Sequence, residues 1–445
     1  VKGLRSVLIL LLVAVLAIAA VLARDALQVG IGYSAKQLCS GVFVAGLPAD
    51  FVRERDIQPR MAILGPARQW LQTRVAVDDG YAEAEFLGAR VRAVHRVGTG
   101  CTLHATGAGA GPLPPAVVSE PAPATPPELR SIVDAAFAEP PGGGRNTLAL
   151  LLSVDGELLV ERYLPPVTAA NRLQGWSMNK SLVATWIELA RQRRLIDPQA
   201  TVRELLAGLD LAGEVDRRMT LAHLTQMESG LKFLEMYGPG SDVTRMLYRT
   251  DAMWRVPASR SQAHAPGSHF AYSSGDTVLA AFLWQRALGE PYDDWLQREF
   301  RAPLGVHSLV AEADASGAQV GSSYAYMSAR DWWRVGQLWL DAWHGRSALL
   351  PQAWIRESTA PRDSDPHGRY GRGFWLNTGG MAFEGAPESL FYAGGNAGQY
   401  VVVIPEWELV LVRLGLSGPF ANTGVGDFLG ALPAALAERR SRVAP

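Results

Sequence analysis

Lysine is almost missing from this chain. Among 445 residues only Lys2, Lys36, Lys180 and Lys232 occur, against a large excess of arginine. Where arginine serves the ordinary cationic needs, a retained lysine suggests a group that has to lose its proton, which a guanidinium cannot do. An excess of charge of either sign is missing too. Lys+Arg 42 balance Asp+Glu 43, for a net charge of −1, which excludes the electrostatic footprint of a nucleic-acid binder. The eight histidines are scattered and no H-E-x-x-H occurs, so neither a metal nor a cofactor is expected. His264 and His269 stand close together and read as surface or packing residues. Cysteine is reduced to Cys39 and Cys101. No histidine-bearing motif accompanies either, so neither reads as catalytic; an oxidising compartment would let them pair.

What is present begins with Lys2 and Arg5 ahead of an apolar run from Val7 to Ala23, closed by Arg24-Asp25. Residues 1–24 read as a signal-anchor or a signal peptide, with Ala-rich cleavage sites near Ala20 and Ala23 as the alternative. The run is long for a cleaved leader, which favours a retained helix. With the basic residues before it, the rest of the chain is expected to be exported, periplasmic and anchored in the inner membrane. Residues 25–104 read as a small β-rich module: Thr73 to Val77, a turn at Asp78-Asp79-Gly80, then Ala82 to Leu87 and Val91 to Val97. Residues 105–126, rich in Ala, Gly and Pro, cannot make a packed core and read as a linker.

The remainder, 127–445, is one large domain. A helix from Pro127 to Ala138 precedes a hairpin, Thr147 to Val154 and Glu157 to Tyr163, turning at Asp155-Gly156. A mostly helical insert spans about 198–320. Helix Ala329 to Trp343 carries Trp332, Trp333, Trp339 and Trp343, an aromatic crowding that reads as core. Strands return at Gly373 to Asn377, Leu390 to Ala393, Tyr400 to Ile404 and Leu409 to Leu414, and a helix from Gly426 to Glu438 ends the domain. The fold class is therefore α+β, with a sheet built from both ends of the domain and an all-helical subdomain between.

Chemistry concentrates in three stretches. Gly175-Trp176-Ser177-Met178-Asn179-Lys180 opens a long amphipathic helix. Three residues apart at helical spacing, the Ser177 hydroxyl and the Lys180 amine share a face and reach each other. A serine becomes a nucleophile when a neighbouring base takes its proton, and a lysine can do so once its pKa is lowered. From a reference near 10.4 that takes about 4 kcal/mol, which burial and the positive end of a helix can supply. A second S-x-x-K, Ser229 to Lys232, is interrupted at once by Gly230 and reads as a turn after a helix. The second stretch, Pro266 to Asp276, leads through a Pro-Gly turn to Tyr272-Ser273-Ser274 before a helix, Thr277 to Leu288; a tyrosine there suits a proton shuttle if cations depress its pKa. The third, Phe391 to Gln399, sets Gly394-Gly395-Asn396 at a strand end, where backbone N–H groups can approach a ligand closely.

The order serine-x-x-lysine, tyrosine-serine-serine, glycine-rich strand edge resembles the penicillin-recognising serine hydrolases. That superfamily holds class C β-lactamases, D-alanyl-D-alanine carboxypeptidases and related esterases. Within it the chain is most like the 6-aminohexanoate-oligomer hydrolases. The stretches that carry the likeness are GWSMNKSLVATWIELA, MTLAHLTQMESGLKFLEMYGPGSDVTRML, PGSHFAYSSGDTVLAAFL, GSSYAYMSARDWWRVGQLWL and FYAGGNAGQYVVVIPEWELVLVRLG, over roughly 126–440. The resemblance implies a β-lactamase/transpeptidase-like fold, an antiparallel sheet flanked by helices beside the helical subdomain, with the site in the cleft between them. It also implies Ser177 as acylated nucleophile, Lys180 as its base and Tyr272 as proton relay to the leaving group. The oxyanion would be held by the N–H groups of Ser177 and of Gly395 or Asn396. Ser274 falls where such enzymes often carry asparagine.

One departure bears on substrate. The K-T-G that ends the β-lactamase pattern is replaced by Tyr392-Ala393-Gly394, and nothing in the sequence places Arg372 or Arg413 in the missing lysine's stead. Poor β-lactam turnover is expected, and an amide or ester substrate with a neutral or differently charged acyl part. Three alternatives stand: a β-lactamase, a D-alanyl-D-alanine carboxypeptidase-type enzyme, or a weakly catalytic ligand-binding sensor on the same fold. An α/β-hydrolase would show G-x-S-x-G, and Gly175-Trp176-Ser177-Met178-Asn179 supplies only the first of its glycines.

Overall fold

The computed structural model describes every residue except 1, 119, 212–214, 239 and 444–445. A helix runs from Lys2 to Cys39, well past the end of the apolar run at Ala23. The expected membrane segment lies within it; among the described residues no helix is long and apolar enough to cross a membrane. The expected break at residues 24–25 is not an element boundary, because the second half of the helix is buried in the body of the protein. Asp25 is buried, accepting hydrogen bonds from Arg245 Nε at 2.9 Å and from the Gly240 N–H at 2.8 Å. Gly32, a helix breaker by propensity, sits where a Cβ would come within 2.5 Å of the Tyr248 carbonyl oxygen; the small residue permits close approach to another helix.

The region 25–104 is accordingly not β-rich from its start. Helical turns continue to Trp70. Four antiparallel strands follow in sequence order, β1 (Gln72–Ala76), β2 (Tyr81–Phe86), β3 (Ala89–Arg96) and β4 (Gly100–Leu103). The Cys39–Cys101 disulfide ties helix to sheet with Cα atoms 6.0 Å apart. Beside it, the buried lysine Lys36 pairs with Glu312, just after the short strand Val310–Ala311, and donates to Ser40 Oγ at 2.9 Å, while Glu312 accepts from the Cys101 N–H at 2.7 Å. An ion pair this dry is stable only when its remaining hydrogen-bond positions are filled, as they are here. Residues 105–126 form no strand or helix among those described, but they adhere to the surface. Gly109 and Leu113 donate their N–H groups to Asp79 O and Phe43 O, and Ala116 to Ala170 O.

The main sheet has six antiparallel strands in the order β10-β11-β12-β13-β5-β6. Its members are β5 (Thr147–Val154), β6 (Glu157–Tyr163), β10 (Trp375–Leu376), β11 (Phe391–Gly395), β12 (Gln399–Ile404) and β13 (Leu409–Gly415). Because side chains alternate along a strand, both faces find a core. Leu150, Leu152, Val402, Ile404, Leu409 and Leu411 pack under helices Arg130–Phe137 and Val425–Val443. Leu151, Val401, Val403, Val410 and Val412 face helix Ala329–Trp343, through Trp332, Val335 and Trp339. Trp332 and Trp339 are core, and their ring nitrogens are satisfied: Trp332 Nε1 donates to Leu173 O at 3.2 Å and Trp339 Nε1 to Thr185 Oγ1 at 3.1 Å. A second small sheet joins β7 (Leu173–Gln174), β9 (Ala325–Met327) and β8 (Val310–Ala311). It leads directly into the turn that holds Ser177. Between the two halves of the main sheet the chain is largely helical, with Ser274–Leu288 and Tyr292–Leu296 among its helices.

Candidate active site

The turn Trp176–Met178 is tight and helix Asn179–Gln192 follows it directly. Trp176, immediately before Ser177, has φ 49°. A bulky residue in the left-handed region costs about 1–3 kcal/mol and persists only where its surroundings impose it. Here they do. A Cβ on Gly175 would lie 2.3 Å from the Trp332 ring, and the Gly175 N–H is held by Ala325 O at 2.9 Å. The result leaves Ser177 half-buried while Trp176 before it is buried.

One helical turn on, Lys180 is buried with its Nζ 3.0 Å from Ser177 Oγ, 3.0 Å from Ser274 Oγ and 3.3 Å from Ser322 O. Burial lowers the Lys180 pKa to about 8, against the opposing pull of the Glu235 and Asp276 charges. Asp276 is itself pushed up to about 7 by burial, with the Ser229 and Ser273 hydroxyls beside it countering in part. Ser274 begins helix Ser274–Leu288 and donates from Oγ to Glu235 Oε1 at 2.6 Å, while its N–H donates to Glu235 Oε2 at 2.7 Å.

Tyr272 lies with its ring centroid 4.8 Å from Lys180 Nζ and its hydroxyl facing Ser177. Its pKa is not depressed by cations. Burial, then the neighbouring Tyr370, push it well above the ordinary phenol value. The phenol therefore stays protonated and can give a hydrogen bond or a proton, but does not act as a tyrosinate base. Its ring belongs to an aromatic wall, stacked on Trp375 at 4.9 Å and edge-on to Tyr370 at 5.7 Å.

Strand β11 closes the other side. Gly395 approaches the turn so closely that a Cβ there would come within 2.2 Å of the Gly175 carbonyl oxygen, so only glycine fits. Asn396 follows, with a buried Nδ2 that makes no hydrogen bond among the described residues. Tyr392, in the place of the missing K-T-G lysine, packs among Trp375, Phe383 and Tyr400. Neither candidate arginine replaces that lysine. Arg413 is buried and spends its Nη groups on the carbonyls of Ala397, Gly398 and Arg145; desolvation lowers its pKa to about 10. Arg372 donates to Glu357 at 2.7 Å.

The second S-x-x-K does not form a pair, because Ser229 is buried and Lys232 is exposed. Gly230 between them has φ 71°, and a Cβ there would meet the His264 carbonyl oxygen at 2.1 Å. His264 and His269 stack on each other at 4.2 Å. Sequence reasoning did not single out Glu235 or Tyr237. Tyr237 exposes one side of its ring, yet its hydroxyl faces the buried hydroxyls of Ser274 and Ser323. Both residues sit on an irregular loop with no periodicity, some 40 positions before the helix they meet.

Comparison with known proteins gives a consistent picture. A D-amino acid amidase from Ochrobactrum anthropi SV3 superposes with a TM-score of 0.54 at 18% identity, over 70% of this chain and 99% of its own. A penicillin-binding protein homologue from Caulobacter crescentus gives 0.56 at 16%, over 71% and 100%. A Bacillus anthracis protein assigned as a 6-aminohexanoate-dimer hydrolase gives 0.53 at 16%, over 71% and 83%. At these identities the likeness shows a shared fold. No curated protein matches the chain. The Beta-lactamase family model matches residues 133–423, which take in the turn of Ser177, the helix of Ser274 and the edge of β11. By fold and by sequence this chain belongs to the beta-lactamase family.

Proposed function

We propose that the protein is a serine hydrolase that works through an acyl-enzyme on Ser177 and takes an amide or ester substrate. The observation that carries the reading is the buried amine of Lys180 at 3.0 Å from the half-exposed Ser177 hydroxyl. Ser177 Oγ attacks the carbonyl as Lys180 takes its proton. Tyr272, kept as a neutral phenol by its buried setting, protonates the departing amine or alkoxide. The backbone N–H groups of Ser177 and of Gly395 or Asn396 stabilise the oxyanion, where each donor is typically worth on the order of 10²–10³ in rate. Water then releases the acyl group.

The aromatic wall sets the substrate class. With Tyr272, Trp375 and Tyr392 along the cleft, and Arg372 and Arg413 committed to other partners, an acyl part without a carboxylate is preferred over a carboxylate-bearing β-lactam. One missing charge-assisted hydrogen bond is worth about 1.5–3 kcal/mol, roughly ten- to a hundredfold. In a screen of the purified protein, p-nitrophenyl esters and linear aminohexanoate amides are expected to turn over faster than nitrocefin by that factor. Nitrocefin as the best substrate would return the protein to the β-lactamase or carboxypeptidase reading, and a single burst without turnover to the sensor.

Export and anchoring belong to the same proposal. A disulfide suits an oxidising compartment, and Leu10, Leu11, Leu12, Val13 and Val15 leave an apolar surface of the N-terminal helix exposed, of the kind that seeks a bilayer. Cell fractionation is expected to place the full chain with the inner membrane. Recovery in the cytosol with reduced cysteines would end this part of the reading.

A further inference from the structure

We infer that Glu235 is the positioning residue of the nucleophile pair: by fixing the proton of Ser274, it leaves Ser177 as the one hydrogen-bond donor available to the neutral amine of Lys180. The inference rests on the proposed function and adds a residue to it.

A neutral lysine amine has two N–H donors and one lone pair. Three oxygens surround Lys180 Nζ: Ser177 Oγ, Ser274 Oγ and Ser322 O. The Ser322 carbonyl can only accept. Ser274 carries one hydroxyl proton, and Glu235 Oε1 takes it at 2.6 Å. A hydroxyl whose proton is committed offers only lone pairs to its other neighbours, so Ser274 also accepts from Lys180. Both amine protons are then assigned, to Ser274 and Ser322, and the nitrogen lone pair faces the Ser177 O–H. Without Glu235, the Ser274 proton is free to turn toward the amine and occupy that lone pair. Proton transfer then runs one way: the Ser177 O–H bond breaks as the N–H bond forms on Lys180, and Ser274 and Glu235 keep their own protonation.

Glu235 has a competing structural role, since its Oε2 also accepts the Ser274 N–H at a helix N-terminus, as a cap does. The groups that face this carboxylate are Lys180 from the nucleophile helix, Tyr272 and Asp276 on either side of Ser274, and Tyr237 from its own loop. Removing the negative charge favours the neutral amine, so loss of Glu235 on electrostatic grounds alone makes Lys180 a base at lower pH.

The test is the pH profile of kcat/KM on a p-nitrophenyl ester for wild type, Glu235→Gln, Ser274→Ala and the double variant, each checked for wild-type melting behaviour. Glutamine keeps an acceptor for the Ser274 N–H but can donate to the hydroxyl. Glu235→Gln is expected to move the acid limb to lower pH while its high-pH plateau falls about 10- to 100-fold, within the range of a misaligned general base. The double variant is expected to be no slower than Ser274→Ala, because Glu235 acts through that hydroxyl. A plateau equal to wild type, or losses that add in the double variant, would overturn the inference. If Glu235→Gln does not fold, Glu235→Asp serves: it keeps the charge but shortens the reach to Ser274, so the plateau is expected to fall with little movement of the acid limb, and an unchanged plateau is the refuting result. A wild-type enzyme inert toward both ester and fluorophosphonate would refute the hydrolase reading instead, so the two failures are told apart.

Discussion

Replacing Ser177 with alanine is expected to abolish covalent labelling by a fluorophosphonate and to lower ester turnover by on the order of 10⁴–10⁶, the scale on which a nucleophile's removal is felt when its partners act as a unit. The fold should survive. Ser177 is only half-buried, and its Oγ shares a hydrogen bond with Lys180 Nζ at 3.0 Å; deleting such a bond costs about 1 kcal/mol. The strained turn itself is held by Trp332 and Ala325 and does not depend on the hydroxyl. Intact-mass spectrometry of the labelled protein and a thermal melt check both halves of the expectation. Labelling that survives in Ser177→Ala would direct attention to another serine, with Ser274 the first to examine because it lies at the same distance from the lysine.

The pairing of Ser177 with Lys180 was legible because helical spacing and the scarcity of lysine are both properties of the sequence. The hairpin Thr147–Tyr163 was equally legible, because the Asp155-Gly156 turn separates two apolar runs, and the strands span Thr147–Val154 and Glu157–Tyr163 as expected. The same local logic failed where small residues serve tertiary contact. Gly30 and Gly32 hide the continuation of the first helix to Cys39, although Gly32 is glycine because the Tyr248 backbone lies against it. The segment 105–126 illustrates a related failure. Its composition forbids a core but not the backbone hydrogen bonds that lay it along the surface. Long-range electrostatics was the least accessible. Tyr272 suited a proton shuttle on the condition that cations depress its pKa, yet the burial that frees the lysine of its proton also disfavours a tyrosinate. No local pattern announces that Glu235 crosses 39 positions to reach Ser274.

Lys180→Ala is expected to lower the rate of acylation by about 10²–10⁴, the usual contribution of a positioned base, with Ser177 still present and the protein still folded. The pH dependence of the wild type carries the sharper expectation. The amine must be neutral to take the Ser177 proton, and burial brings its pKa down to about 8 while Glu235 and Asp276 stop it falling further. Activity should therefore rise about tenfold per pH unit below that value and level off above it, so that at pH 7 roughly one molecule in ten holds a competent base. In Lys180→Ala this limb should vanish together with most of the rate. The helix that carries Lys180 also carries Ser177 at its mouth, so a base set this close to its threshold couples catalysis directly to the dryness of the cleft. A substrate whose apolar acyl part fills the aromatic wall of Tyr272 and Trp375 excludes water from the amine and lowers its pKa further. The acid limb of kcat should then lie at lower pH than that of kcat/KM, and coincident limbs in stopped-flow acylation measurements would place the titrating group outside the cleft.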